Sequence, residues 1–191
     1  MLDASTYYGS TIVLLLILTL ATWTDLQQHR IPNALSLGGM LIGIALHTWI
    51  YGLPGLATGI SGAAVGIAIL LPFYLLKGMG AGDVKLMGAV GAFLGPHNAL
   101  LATGLSLGAG GVLAIIILTL RGGLKPLAVR YFNTFKCLLV TGKLSHQSPE
   151  SGEVAATKFP YAAAILTGTV ATLGWLHILQ DMTRFIFSMI R

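Results

Sequence analysis

The sequence predicts an all-α polytopic membrane protein: a single domain over residues 1–191, with six transmembrane helices and both termini on the non-cytoplasmic side. Three observations predict this. First, 55% of the 191 residues are hydrophobic and only 9% are charged, against about 25% charged in a typical soluble domain. Second, the apolar residues come in runs of roughly 20, the length one helix needs to cross a bilayer. Third, nine of the eleven basic residues fall on one predicted face, as cytoplasmic loops require. The formal net charge of +5 therefore reads as membrane sidedness and not as nucleic-acid binding.

Residues 6–24 (TYYGSTIVLLLILTLATWT) form the first span, and the segment from Asp25 to Asn33 interrupts it. The N-terminal MLDASTYYGS has no basic residue before the apolar run. A secretory signal wants a basic n-region and a small-residue cleavage site, so the first span reads as a retained helix. Residues 34–50 form the second span and end at the turn-prone YGLPG; residues 56–76 form the third. From Val84 to Leu120 the chain is apolar apart from Lys85. As one helix that stretch is about 55 Å long, too long for a single crossing. Proline breaks a helix interior, so Gly95-Pro96 divides it into a short fourth helix, 84–95, and a fifth, 98–120. A tilt or a locally thinned bilayer accommodates the short one.

Residues 121–158 carry Arg121, Lys125, Arg130, Lys136, Lys143, Lys158, Glu150 and Glu153. They read as a cytoplasmic loop, with RYFNTFKCLLV as a helix lying along the interface. Residues 159–178 form the sixth span. With this layout Arg30, Lys77, Lys85 and the basic residues of 121–158 share the cytoplasmic face, and Arg184 and Arg191 lie opposite. Small residues at Gly59, Gly62, Ala63, Gly66, Gly88, Gly91 and Ala92 predict close helix packing.

Cys137 is the single cysteine, so there is no CxxC pair and no thiolate zinc cage; the five histidines are scattered, with no HExxH arrangement. No metal and no organic cofactor is expected. What remains is a pair of carboxylates. Asp25 ends the first span and Asp83 opens the fourth, on the same predicted face. Apart from Asp3 they are the only acidic residues in the first five spans and their connections. Ionisable groups at a span boundary point to function. Two carboxylates at close range share a proton, and the pair can act as general base and general acid on a water and a carbonyl. Three other readings stay open at this point. Asp83 serves equally as a helix N-cap, Asp25 equally as an interfacial turn residue, and the pair also suits a proton relay. A transporter, however, more usually places such groups near the bilayer midplane. The helix dipole separates the two: Asp83 sits at a helix N-terminus and Asp25 near a C-terminus, which predicts Asp83 as the ionised partner.

The motifs themselves are specific. GAGD at 80–83 has the GxGD form of intramembrane aspartyl proteases. The run GMGAGDVKLMGAVGAFLG, together with the earlier DLQQHRIPNALS, resembles the prepilin peptidase (type IV leader peptidase) family, and KFPYAAAILTG resembles the segment that opens the last helix there. The resemblance runs from the first to the sixth predicted helix. It implies catalytic aspartates at Asp25, a few residues before Pro32-Asn33, and at Asp83, followed by Lys85-Leu86. It implies an aspartic endopeptidase of the bacterial inner membrane that removes the basic leader of type IV prepilins or pseudopilins at the cytoplasmic boundary. Its partners are then the prepilin substrate and membrane lipid, with no nucleic acid. The rivals are a non-catalytic assembly or scaffold protein and a small proton-coupled transporter.

Longer family members carry a cytoplasmic domain with paired cysteines between two early spans, and that domain accompanies N-methylation. Here the first two helices are joined by a short link and no such pairs exist. The chain therefore resembles the peptidase-only form of tight-adherence (Flp) pilus systems, and methyl transfer is not expected. Around the aspartates, Gly78, Gly80 and Gly82 are expected to allow unusual backbone angles and close substrate approach. Pro32 is expected to fix the start of helix two, with Asn33 as its cap. Arg30 and Lys85 read first as positive-inside anchors, and second as cations that contact lipid phosphates or bias the aspartates.

Overall fold

The computed structural model describes residues 4–76, 78–120, 161–176 and 181. The expected interfacial helix and loop over 121–158, with Glu150 and Glu153, lie outside the described residues, as does Lys77. The described chain is all α: α1 (Ala4–Gln28), α2 (Asn33–Tyr51), α3 (Leu53–Leu75), α4 (Ala81–Leu120) and α5 (Tyr161–Trp175). Of these, Tyr8–Gln28, Asn33–Tyr51, Leu53–Leu75 and Ala81–Ile117 are long and apolar enough to cross a membrane, and Tyr161–Trp175 is a shorter apolar helix. The chain forms two compact units, Met1–Gly110 with Pro160–Arg191, and Gly111–Phe159. Within the second, the described residues 111–120 are helical, with Val112, Ile115, Ile116 and Leu120 exposed.

In the first unit large apolar side chains face outward and several polar ones are buried beside an apolar core. Leu16, Leu20, Trp23, Leu41, Trp49, Leu53 and Leu75 point outward, while Asp25, Ser36, Asp83, Thr103, Ser106, Thr169 and Thr172 are buried. An apolar exterior over a partly polar interior is what a lipid solvent selects. The core joins Leu14, Leu18 and Ala21 of α1, Leu70 of α3, Val84, Leu86, Met87 and Val90 of α4, and Ala162 and Ile165 of α5. Helix α1 packs on α2 and α5, and α2 packs on α3.

Helix α3 meets α4 with almost nothing between the backbones. A Cβ at Gly62 would collide with the Gly91 carbonyl, and one at Gly91 with the Gly62 carbonyl; a Cβ at Gly66 would press on the Met87 carbonyl. Gly59 lies against the Ile44 Cα, and Gly88 lies under Ile67. Ala63 and Ala92 are buried. The small residues singled out in the sequence thus mark where helices touch. The expected break in the long apolar stretch is also present. Gly95 has φ 77° and ψ 171° and is followed by Pro96, so α4 consists of two arms, 81–94 and 96–120. Breaking the ladder frees carbonyls in the first arm. The Asn98 side-chain amide donates to the Leu94 carbonyl at 3.1 Å.

Two boundaries differ from expectation in ways that bear on function. Helix α1 does not stop before Asp25. The His29 amide donates to the Asp25 carbonyl at 2.8 Å, so Asp25 lies inside the last turn. The helix closes at His29, whose φ is 49°. Helix α4 begins at Ala81 and not at residue 84, which places Asp83 inside its first turn.

Candidate active site

The two aspartates are carried by different helices and converge. Asp25 is 6% exposed and Asp83 9%, and the charge of Asp25 is felt at Asp83. Their surroundings come from backbone. The Asp83 carboxylate (Oδ2) accepts from the Gly80 N–H at 3.1 Å, while the Asp83 N–H donates to the Gly80 carbonyl at 3.2 Å. Asp83 is therefore not the N-cap of α4. It is the acid three residues on, reaching back to the amide of the capping residue, as in one half of a capping box. The Asp25 carboxylate (Oδ2) accepts from the Ala162 N–H at 3.2 Å, in the first turn of α5. One turn back along α1, the Thr22 hydroxyl donates to the Ala162 carbonyl at 3.3 Å.

This removes the dipole asymmetry read from the sequence. Asp25 ends its own helix, but its carboxylate faces the N-terminus of α5, where free amides and the helix dipole both suit an anion. Asp83 faces the N-terminus of α4. Each carboxylate thus has one backbone donor at a helix start. The asymmetry holds only for the helices that carry the two residues, not for the helix starts that their carboxylates face.

The two motifs are also joined to each other. Lys85 Nζ donates to the Asn33 side-chain carbonyl at 3.1 Å, linking the segment after Asp83 to the segment after Asp25. Asn33 is not a helix cap: Pro32 occupies that position, with φ −59° and no side-chain cap bond. The side chain of Asn33 is instead spent on Lys85. A Cβ at Gly82 would lie 3.1 Å from the Ile31 Cβ, so Gly82 lets the GxGD turn rest on the α1–α2 link. Gly78 and Gly80 are exposed. None of the three has a positive φ; among the described glycines only Gly52 and Gly95 do. Their lack of a side chain serves proximity: a Cβ at Gly80 would stand 3.1 Å from Asp83 Oδ2. Arg30 and Pro32 are exposed beside this cluster.

Three contributors carried no chemical signature in the sequence. Ala162 acts through its amide. His29 acts on Asp25 through charge. Tyr161 lies within range of the Asp83 charge, and its hydroxyl is buried. Among the described residues, no group of three His, Cys, Asp or Glu is placed to hold a metal ion. A separate cavity of about 320 Å³, lined by Ser10, His47, Tyr51, Thr58, Phe93 and Asn98 among others, lies at the opposite end of these helices, beside the break in α4.

Residues 12–120 match the family model of the type IV leader peptidase family. That span includes both aspartates, the Lys85–Asn33 contact and the glycine seam, but not α5. The prepilin leader peptidase/N-methyltransferase of Legionella pneumophila is 31% identical over 150 residues, covering 72% of this chain and 52% of that protein. The chain thus spans about half the length of the curated relative it matches. No solved structure gives a significant match.

Proposed function

Because the chain belongs to the type IV leader peptidase family, we propose that it is an aspartic endopeptidase that removes the basic leader of a type IV prepilin or pseudopilin, with Asp25 and Asp83 as its catalytic pair. One observation carries the reading. In a chain with only six acidic residues, two carboxylates from separate helices are both buried, and the charge of Asp25 is felt at Asp83. One of them takes a proton from a water whose oxygen attacks the scissile carbonyl carbon. The other, protonated, gives its proton to the carbonyl oxygen. The tetrahedral gem-diol then collapses: one of its hydroxyls returns a proton to the second carboxylate, the C–N bond breaks, and the leaving nitrogen receives the proton held by the first carboxylate.

The proposed setting is the bacterial inner membrane, with six spans, both termini outside and the aspartates at the cytoplasmic boundary. The clustering of nine of eleven basic residues on one predicted face supports it. Gly80 supports substrate access, being exposed next to Asp83 with no side chain to obstruct an extended peptide. Lys85 and Asn33 hold the two motifs in register. Arg30 meets lipid phosphates. Methyl transfer, named for the Legionella relative, is not proposed here. Only residues 29–32 separate α1 from α2, and the one cysteine allows no pair.

Co-expression with a full-length type IV prepilin tests the reading. Wild-type protein is expected to shorten the prepilin, and Asp25→Asn and Asp83→Asn to leave it intact. Undiminished leader removal by either variant would return the scaffold reading to first place. Proton flux in vesicles that depends on the aspartates, without cleavage, would favour the transporter.

A further inference from the structure

Two side chains of α1, Thr22 and Asp25, reach the first turn of α5 together. They stand one helical turn apart and so share one face of α1. Both close on a single residue. The Thr22 hydroxyl donates to the Ala162 carbonyl at 3.3 Å, and the Ala162 N–H donates to the Asp25 carboxylate at 3.2 Å. Thr22, Asp25 and Ala162 are all buried. The N–H is one of those at a helix start that the ladder leaves without an acceptor. The carbonyl points along α5, where the ladder already uses it, so the Thr22 bond is an addition and not a repair. It also departs from what the other hydroxyls do. Thr19 and Thr24 on α1, Thr103 and Ser106 on α4 and Thr172 on α5 each donate to a carbonyl three or four residues back in their own helix, the local bond open to any helical hydroxyl. Thr22 instead donates to a residue 140 positions away.

We propose that Thr22 is a positioning residue of the peptidase: its bond to the Ala162 carbonyl fixes the first turn of α5 against α1, so that the Ala162 N–H stays aimed at the Asp25 carboxylate. One hydrogen bond lets a carboxylate and its donor pivot about each other. A second bond, from the same helix face to the same residue, removes that freedom, and both bonds are buried. Thr22 touches neither the substrate nor the reacting atoms; it acts through Ala162. A support of this kind is felt in the rate of the chemical step, which falls when a reacting group is slightly misplaced, and not in the binding of a peptide. The inference rests on the two-aspartate reading and adds the side chain that steadies one member of the pair.

The test is a crossed pair of substitutions. Thr22→Val keeps the shape of the side chain and loses the hydroxyl; Thr22→Ser keeps the hydroxyl and loses the methyl group. The full chain is purified in detergent and assayed against a full-length type IV prepilin, with Asp25→Asn and Asp83→Asn in parallel. For Thr22→Val the expected result is an unchanged melting temperature, an unchanged KM and a kcat lower by about five- to tenfold, the scale of one hydrogen bond. Thr22→Ser is expected to stay within about twofold of wild type, since it restores the donor. A wild-type kcat in Thr22→Val would overturn the proposal. So would a Thr22→Ser variant as impaired as Thr22→Val, which would assign the residue to packing, or a loss of kcat matched by loss of folded protein. A raised KM at wild-type kcat would place Thr22 in substrate binding and overturn it as well. If the aspartate variants are inactive while Thr22→Val behaves as wild type, only the role of Thr22 falls. If either aspartate variant remains active, the two-aspartate reading falls and takes this inference with it.

Discussion

Along its first arm, α4 meets α3 at Gly62, Gly66 and Gly91, where backbones touch, and meets the end of α1 at Asp83, where a carboxylate is held by single hydrogen bonds and by charge. The seam has no side chains to adjust, so its geometry is set by contact. The aspartate cluster has several polar groups joined by directed hydrogen bonds, close to an exposed turn. In membranes, association through small residues depends on van der Waals packing over the whole interface. A polar cluster depends on a few directed bonds. The seam should therefore be intolerant of added atoms in its stability, and the cluster intolerant of chemical change in its activity.

The largest effect expected is on activity at the cluster. Asp25→Asn or Asp83→Asn should lower leader removal by about 10³-fold or more, since each removes one member of an acid–base pair. Membrane insertion and melting temperature should be retained, and loss of both together would erase the distinction between the regions. Next is the seam. Gly62→Val places atoms where the Gly91 carbonyl lies and should cost about 3 kcal/mol or more of stability, seen as lost yield and a lowered melting temperature in detergent. A variant of normal stability would show that the seam can open.

Smaller effects test the link between the motifs. Lys85→Ala and Asn33→Ala each remove the same contact, and each should reduce activity a few-fold, equivalent to about 1 kcal/mol for one hydrogen bond. The double variant should be no worse than the worse single one, because the pair acts as a unit. Additive losses would mean that the two side chains have separate tasks. The smallest effect is expected at Gly80→Ala. Its Cβ would sit 3.1 Å from Asp83 Oδ2, tight but relieved by a slight turn of the carboxylate, and the measurable change should be in KM.

Much of this was legible in the residues. The apolar runs, the Gly95-Pro96 break and the small-residue seam follow from bilayer thickness, proline sterics and the lack of a Cβ, all of which are local. Asp25 and Asp83 stood out because charge is rare in the chain. What was not legible came from partners distant in sequence. No property of alanine marks Ala162 as the donor to Asp25, because every residue but proline has the same amide. Asn33 beside a proline reads as a cap, and only its proximity to Lys85 reassigns it. Asp25 seemed to end a helix in a polar loop, whereas its carbonyl still closes a helical turn with His29.

The bond from Ala162 to Asp25 spans 137 residues of chain. At a synthesis rate of about 5–20 residues per second, roughly 7–27 s separate the emergence of Asp25 from that of its donor. A nascent chain can present both aspartates and the glycine turn while α5 is still unmade. Its acid group then lacks the amide that aims it. Until residue 162 has been made, the Asp25 carboxylate is without the amide that holds it.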